Sequence, residues 1–273
     1  MANIDPRVQR FRALHESGCF VIPNPFDVGS ARLLEQLGFR ALATTSAGFA
    51  WTVGRPDNGV TLEQVLAHLE AMCAAVRIPL SVDFERGFAI EPDEVGANVT
   101  RALATGIAGL SIEDASHEAE QPLLEFELAV ERIRAARRAV DECGTGAVLV
   151  ARTEGFIVGR PDLAETIRRL TAFAEAGADC LFAPGVRDLA QIESLVRAVA
   201  PKPVNVVVGS DFATVQQLAD IGVRRISVGG GLARAAYSGV LAAVSEISEH
   251  GTFAALGRAI TGVDLNTRFS APE

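Results

Sequence analysis

The chain has 273 residues, 49% of them apolar and 22% charged, which suits one large α/β domain with a sizeable core and excludes disorder. Its 25 basic and 34 acidic residues leave a net charge of −9, which argues against a nucleic-acid or anionic-membrane surface. No apolar run approaches the roughly 20 residues of a membrane span, and polar Met1–Arg12 lacks a signal-peptide core, so a soluble cytoplasmic protein is expected.

Eight short apolar, β-rich runs follow one another along the chain. The first spans about residues 19–23 and leads into a helix that Asp27 opens and Gly38 closes. The second, about 41–45, precedes a helix marked by the capping box Thr61-x-x-Gln64, and the third falls at about 79–83. Gly106 ends the helix before the fourth run at about 108–112, and the fifth lies at about 147–151. Asp162 opens the next helix and Gly177 closes it before the sixth run at about 179–183. The seventh, about 203–207, leads to a helix start at Asp211 and a glycine end at Gly222, and the eighth covers about 225–228. A helical run from about 232 to 249 begins a C-terminal helical extension of about 232–273.

Runs this apolar are buried on both faces, as parallel strands are. Eight strand–helix units in one chain of this length predict a single (β/α)8 TIM-type barrel across 1–273. A doubly wound open sheet is the rival, but PNPFDVGS follows the first strand where a G-x-G-x-x-G turn would be needed.

Barrel active sites lie at the C-terminal strand ends. Those ends offer Asn24, Thr45-Ser46, Asp83 and Glu85, Glu113-Asp114, Arg152 and Glu154, Pro184, Asn205, and Gly229-Gly230-Gly231. The opposite ends offer Arg40, Pro79, Gly109, Lys202 and Arg224-Arg225, a less organised set. Asp83, Glu85 and Glu113 in one mouth would repel one another, and a hard divalent cation resolves this; all-oxygen ligation points to Mg²⁺ or Mn²⁺. Arg152 could grip a substrate carboxylate in a bidentate contact, and Ser46 with the amides after it another anionic oxygen. Each residue also has a plainer reading. The acidic pairs could be ion-paired strand ends, Arg152 a neutralising cation and Asn205 a local backbone partner, and it is their convergence that favours a site. The Gly229–Gly231 run reads as a tight turn before it reads as a phosphate loop, and His117 as part of a solvated acidic loop. Trp51 and Phe49 could line the mouth or cover it.

Cys19, Cys73, Cys143 and Cys180 contain no C-x-x-C pair, and the four histidines no i,i+3 or i,i+4 pair, so neither a disulfide framework nor a histidine-rich metal site is suggested. The one lysine, Lys202, sits at the N-terminal end of strand 7, which excludes Schiff-base chemistry.

VDFERGF at 82–88, SIED at 111–114, VARTEGF at 150–156 and the TTSAG…GRPDNG segment at 44–59 together resemble the isocitrate lyase/phosphoenolpyruvate mutase superfamily, from about Phe20 to Ala236. The subgroup looks like its short members, 2-methylisocitrate lyase, phosphonopyruvate hydrolase and oxaloacetate decarboxylase. The resemblance implies a Mg²⁺-dependent barrel that makes or breaks C–C or C–P bonds of 2-oxo acids through an enolate. It makes Asp83 the direct metal ligand and gives Glu85, Glu113 and Asp57 as carboxylates that reach the metal through water. Arg152 matches the substrate-gripping arginine, Thr45, Ser46, Ala47 and Gly48 the carboxylate-binding loop, and Asn205 a substrate contact. Arg152, Asp57 and Glu113 are the expected catalytic groups. It also implies a homo-oligomer, a dimer or tetramer, in which the C-terminal helix swaps between subunits.

The chain departs from the family pattern in places. DASHEAEQPLLEF replaces the loop whose cysteine acts as acid in the lyases, and it equally lacks the lysine and asparagine of the phosphonate enzymes. D-x-E stands for D-x-D, and Ser46-Ala47 for Ser-Gly. Retro-aldol cleavage needs a loop acid, whereas decarboxylation of a 2-oxo diacid needs mainly an electron sink. C–C cleavage of an oxaloacetate-like substrate is therefore expected, with His117 the candidate proton donor. C–P chemistry on phosphonopyruvate and a non-catalytic 2-oxo acid binder are the alternatives.

Overall fold

A computed structural model describes residues 4–270. Helix α1 (Pro6–Glu16), capped by Asp5 on the Arg7 amide, precedes the sheet and drives Val8 and Phe11 into its N-terminal end. The repeat then runs β1 (Phe20–Ile22), α2 (Val28–Gln36), β2 (Leu42–Ala43), α3 (Ser46–Thr52), α4 (Leu62–Ala75), β3 (Leu80–Asp83), α5 (Pro92–Leu103), β4 (Gly109–Glu113), α6 (Phe126–Cys143). It continues through β5 (Val148–Arg152), α7 (Leu163–Glu175), β6 (Cys180–Phe182), α8 (Leu189–Val199), β7 (Val204–Val207), α9 (Val215–Asp220) and β8 (Arg225–Ser227). Helices α10 (Gly231–His250), α11 (Ala254–Gly257) and α12 (Gly262–Phe269) complete the described chain.

All eight strands are parallel, in the order β1-β8-β7-β6-β5-β4-β3-β2. The Ala43 amide donates to the Pro23 carbonyl at 3.1 Å and brings the two outer strands together, so the sheet is a nearly closed (β/α)8 barrel. Asn24 strengthens that seam. Its Nδ2 donates to the Thr44 carbonyl, and its Oδ1 accepts from the amides of Val228 and Gly229.

Strand alternation sorts the residues. Leu80, Val82, Leu110, Ile112, Leu149, Ala151 and Ile226 face the helices in the outer core. Phe20, Ile22, Ala41, Ala43, Val148, Val150 and Cys180 face inward with Phe11. Asp83, Glu113 and Arg152 end their strands in the inward phase, which is what delivers them to one mouth.

Gly38, Gly106, Gly177 and Gly222 all adopt the positive φ that the helix-end pattern predicts. Asp27, Thr61 and Asp162 cap their helices as expected. Asp211 does not. Helix α9 starts four residues later, where Thr214 and Gln217 satisfy each other's end of a reciprocal capping box that Asp211 cannot match.

The C-terminal extension leaves Tyr237, Val240, Leu241, Val244, Phe253, Leu256, Ile260 and Val263 exposed. In this single chain α12 returns to its own α2, where Gln36 donates to the Arg268 carbonyl at 2.8 Å, and exchange of the segment between subunits stays a proposal. Among the described residues no helix is long and apolar enough to cross a membrane.

Candidate active site

At the C-terminal strand ends, Arg152 is the hub. Its Nη1 lies 3.2 Å from Asp83 Oδ1 and 3.2 Å from Glu113 Oε2, and its Nε donates to Glu154 Oε1. Burial works against the guanidinium's charge, but Glu154, Glu113 and Asp83 outweigh it and hold the group firmly protonated. The neutralising reading of Arg152 therefore describes its present contacts. Nε and Nη1 serve carboxylates, while Nη2 donates no hydrogen bond among the described residues.

Ser46 starts α3 over the end of β3. Its amide and its hydroxyl donate to Asp83 Oδ2 at 3.2 and 2.9 Å, and the hydroxyl also reaches Asp57 Oδ1 at 3.4 Å. Thr45 is the cap of α3, accepting from the Gly48 amide. A side chain at Gly48 would sit 2.5 Å from Thr45 Cγ2 and 2.9 Å from Phe26 Cβ, so only glycine lets this loop close. Asp57 stands at the rim; partial desolvation and then the Asp83 charge raise its pKa.

Glu113 is buried, which alone would raise its pKa, but Arg152 and His117 prevail and hold it low. His117 Nε2 lies 3.6 Å from Glu113 Oε1. His117 adopts a φ of +65°, and its side chain remains 30% exposed while reaching the strand end. His117 is thus solvent-exposed, as its acidic loop implied, and its ring also approaches the Glu113 carboxylate, as a candidate proton donor requires.

Glu85 is the least satisfied group. Its residue is 7% exposed, Oε1 is buried without a hydrogen-bond partner, and its φ of +48° is left-handed. Burial first, then Asp83, Glu113 and Asp57, push its pKa up to about 8. An orphaned carboxylate oxygen beside three more carboxylates is a donor set that fits a hard divalent cation in charge and atom type. Among the described residues no three acidic, histidine or cysteine side chains yet converge as a ligand set, because Arg152 stands between Asp83 and Glu113.

A cavity of about 240 Å³ opens beside this cluster, lined by Thr45, Ser46, Ala47, Asp57, Asp83, Arg152, Asn205 and, unexpectedly, Arg225, with Glu85, Glu113 and His117 behind its wall. Asn205 donates to Ser227 Oγ at 3.1 Å, with its Oδ1 buried and unpartnered, so it is no local backbone partner. Gly229 has a φ of +53° and Gly231 closes on the Val228 carbonyl, which makes the glycine run a tight turn. Phe49 stacks on His68 and Trp51 faces Tyr237, so neither lines the cavity. Lys202 donates to the Ala178 carbonyl, remote from the carboxylates.

Of the supporting residues, Asp114 and Glu154 were named as strand ends, and Arg132 and Arg169 were not. Asp114 accepts from Thr153 Oγ1, the Glu154 amide and Arg169, tying the ends of β4 and β5. Arg132, buried in α6, donates to the carbonyls of Glu113 and Ala89. Glu154, named among the strand ends, is ion-paired with Arg152.

A family model for phosphoenolpyruvate phosphomutase matches residues 11–248, nearly the whole barrel and α10. This chain belongs to the phosphoenolpyruvate mutase family. It is an enzyme of the phosphoenolpyruvate mutase/isocitrate lyase superfamily, as the motifs implied. A Burkholderia cenocepacia structure described as a lyase/mutase superposes with a TM-score of 0.95 at 44% identity, covering 98% of this chain and 96% of that one. Oxaloacetate decarboxylase of Pseudomonas aeruginosa is 30% identical over 275 residues, covering 96% of this chain and 91% of the relative. Phosphonopyruvate hydrolase, solved with oxalate and Mg²⁺, superposes with a TM-score of 0.84 at 26% identity, covering 95% and 93%.

Proposed function

We propose that this phosphoenolpyruvate mutase family member is a Mg²⁺-dependent enzyme, with Mn²⁺ as the substitute metal, that cleaves a carbon–carbon bond of a small 2-oxo acid, of lyase or decarboxylase type and with an oxaloacetate-like substrate. The observation that carries this reading is Glu85, a buried carboxylate without a partner beside Asp83, Glu113 and Asp57. Asp83, Glu85 and Glu113 would hold the cation, with Asp57 at the rim. When bound, Mg²⁺ supplies the electron sink by polarising a 2-oxo oxygen.

The chain's own residues bind, orient and protonate. Ser46 and the amide of Ala47 offer donors to one carboxylate oxygen, and Arg152 turns its unengaged Nη2 to another. Asn205 would be the substrate contact from β7, through its Nδ2. Cleavage leaves an enolate that needs a proton, and His117 at 3.6 Å from Glu113 is placed to hold and deliver it at Nε2. Oxalate bound with Mg²⁺ in phosphonopyruvate hydrolase supports the same ligand chemistry here. The exposed apolar residues of α10 to α12 support a homo-oligomer, as the superfamily resemblance implied, and light scattering that reports a monomer contradicts it.

Calorimetric titration with oxalate tests the metal dependence. Binding in MgCl₂ that disappears in EDTA is expected, and equal binding in both solutions overturns the metal reading.

A further inference from the structure

The two arginines at the start of β8 look alike in sequence and part company in the fold. Arg224 points out of the barrel and donates to the Gly18 carbonyl. Arg225, one residue on, shares the inward phase of Ser227, while Ile226 between them faces the helices. Its residue is 4% exposed, and it lines the active-site cavity.

What surrounds Arg225 leaves it unpaired. Among the described residues it donates no side-chain hydrogen bond, and Nε and Nη1 are both buried without a partner. The Phe11 ring lies 5.7 Å from its Cζ. Cys180 is a buried thiol whose pKa burial raises to about 11, so it stays neutral. His15, beneath it on α1, is likewise held neutral by burial, with a pKa of about 3. Asp83, the one carboxylate felt here, is already occupied by Ser46 and Arg152. Asn205, directly opposite Arg225 in the β7–β8 register, keeps its Oδ1 unpartnered in the same interior. An uncompensated guanidinium is among the costliest groups to bury, and arginine does not shed its proton to escape the cost.

The charge balance of the cavity says what would compensate it. Arg152 and Arg225 are the basic side chains among its lining residues. Arg152 is shared by Asp83, Glu113 and Glu154, so the rim is acidic overall. Arg225 alone offers an unspent positive charge with a planar fork of donors. Ala43, Val150 and Phe182 line the walls of the same cavity and suit a short carbon chain.

We propose that Arg225 is the deep anion-binding group of this cavity, holding the distal carboxylate of a dicarboxylic 2-oxo acid whose first carboxylate lies at Ser46 and Arg152. The assignment rests on the 2-oxo acid reading of the site and adds the residue that separates dianionic from monoanionic substrates. Arg225 then has its counter-ion only in the complex, so its buried charge favours binding of the longer, doubly charged acid.

Titration calorimetry with MgCl₂ present tests it, with 2-oxoglutarate and 2-oxopentanoate as probes of equal carbon count that differ in the distal carboxylate. The native chain is expected to bind 2-oxoglutarate at least about tenfold more tightly. R225M should lose that preference, keep its 2-oxopentanoate affinity within about threefold, and melt no lower than the native chain, because an unpaired buried charge has been replaced by an apolar side chain. R225K supplies the second variant: it keeps the charge without the fork, and its preference should fall between the other two. A preference undiminished in R225M, or undiminished in R225K where R225M does not fold, overturns the assignment. Equal binding of both probes by the native chain overturns it while leaving the 2-oxo acid reading standing, and binding of neither probe overturns both.

Discussion

Ser46 donates to Asp83 twice, from its amide at 3.2 Å and its hydroxyl at 2.9 Å, and both bonds end on Oδ2. The first turn of α3 is thereby fixed to the end of β3, and Asp83 keeps Oδ1 for Arg152. Ser46→Ala removes the hydroxyl bond and leaves the amide bond. A charge-assisted bond from this hydroxyl to a substrate carboxylate is worth about 1.5–3 kcal/mol, so kcat/KM should fall by roughly 10- to 100-fold, and loss of the Asp83 bond should lower the melting temperature by a few degrees. Steady-state kinetics beside a thermal melt decide it, and unchanged kinetics contradict a role for the loop.

His117 is placed to pass a proton through Nε2. His117→Asn keeps a residue that tolerates the +65° φ and removes the imidazole. The expected outcome is a fall in kcat of about 10²-fold or more with KM nearly unchanged. A proportional rise in KM with kcat intact would make His117 a binding residue instead.

Glu85 couples stability to metal and to pH. Its folded pKa of about 8 lies above the ordinary carboxyl value of 4.5, so the metal-free fold is fully favoured below 4.5 and loses that contribution as pH rises through 8. Glu85→Gln removes the charge. The metal-free variant should melt higher than the native chain at pH 9, and MgCl₂ should raise its melting temperature less. Equal MgCl₂ stabilisation of the two proteins argues against Glu85 as a ligand.

Two buried imidazoles set the opposite limb. Burial lowers His15 to about 3 and His68 to about 4, against 6.5 for an open ring. Their contribution is complete above pH 6.5 and is lost as pH falls toward those values, at about 1.4 kcal/mol per pH unit for each ring. His68 stacks on Phe49 at 3.9 Å with Nε2 unpartnered, so His68→Phe keeps the stack and removes the proton site. Its melting temperature should fall less steeply than the native one between pH 7 and 5. Identical slopes would contradict the assignment.

The barrel was legible because apolar strands, capping residues and glycine helix ends agree along the chain, from Asp27 to Gly222. The mouth carboxylates and Arg152 followed, since each ends a strand whose alternation is plain. Arg225 did not follow. In a run of three residues the inward phase is set by pairing with Asn205 and Phe20, and a paired Arg224-Arg225 reads as one basic strand start. His117 was a candidate from sequence, but its approach to Glu113 depends on a left-handed turn within a solvated loop, which residue type alone does not place. Asp211 failed to cap because Thr214 offered a reciprocal box, a competition that a single-residue signal does not weigh.

The most direct test follows oxaloacetate by NMR in three samples: the native chain with MgCl₂, the native chain with EDTA, and Arg152→Lys with MgCl₂. Lysine keeps a charge between Asp83 and Glu113 but cannot also reach Glu154 and substrate with a planar fork. Pyruvate should form well above the rate of free Mg²⁺ in the first sample, at background in the second, and at least about 10²-fold more slowly in the third. Background rates in all three samples, with no turnover when 2-methylisocitrate or isocitrate replaces oxaloacetate, would contradict a carbon–carbon bond-cleaving enzyme.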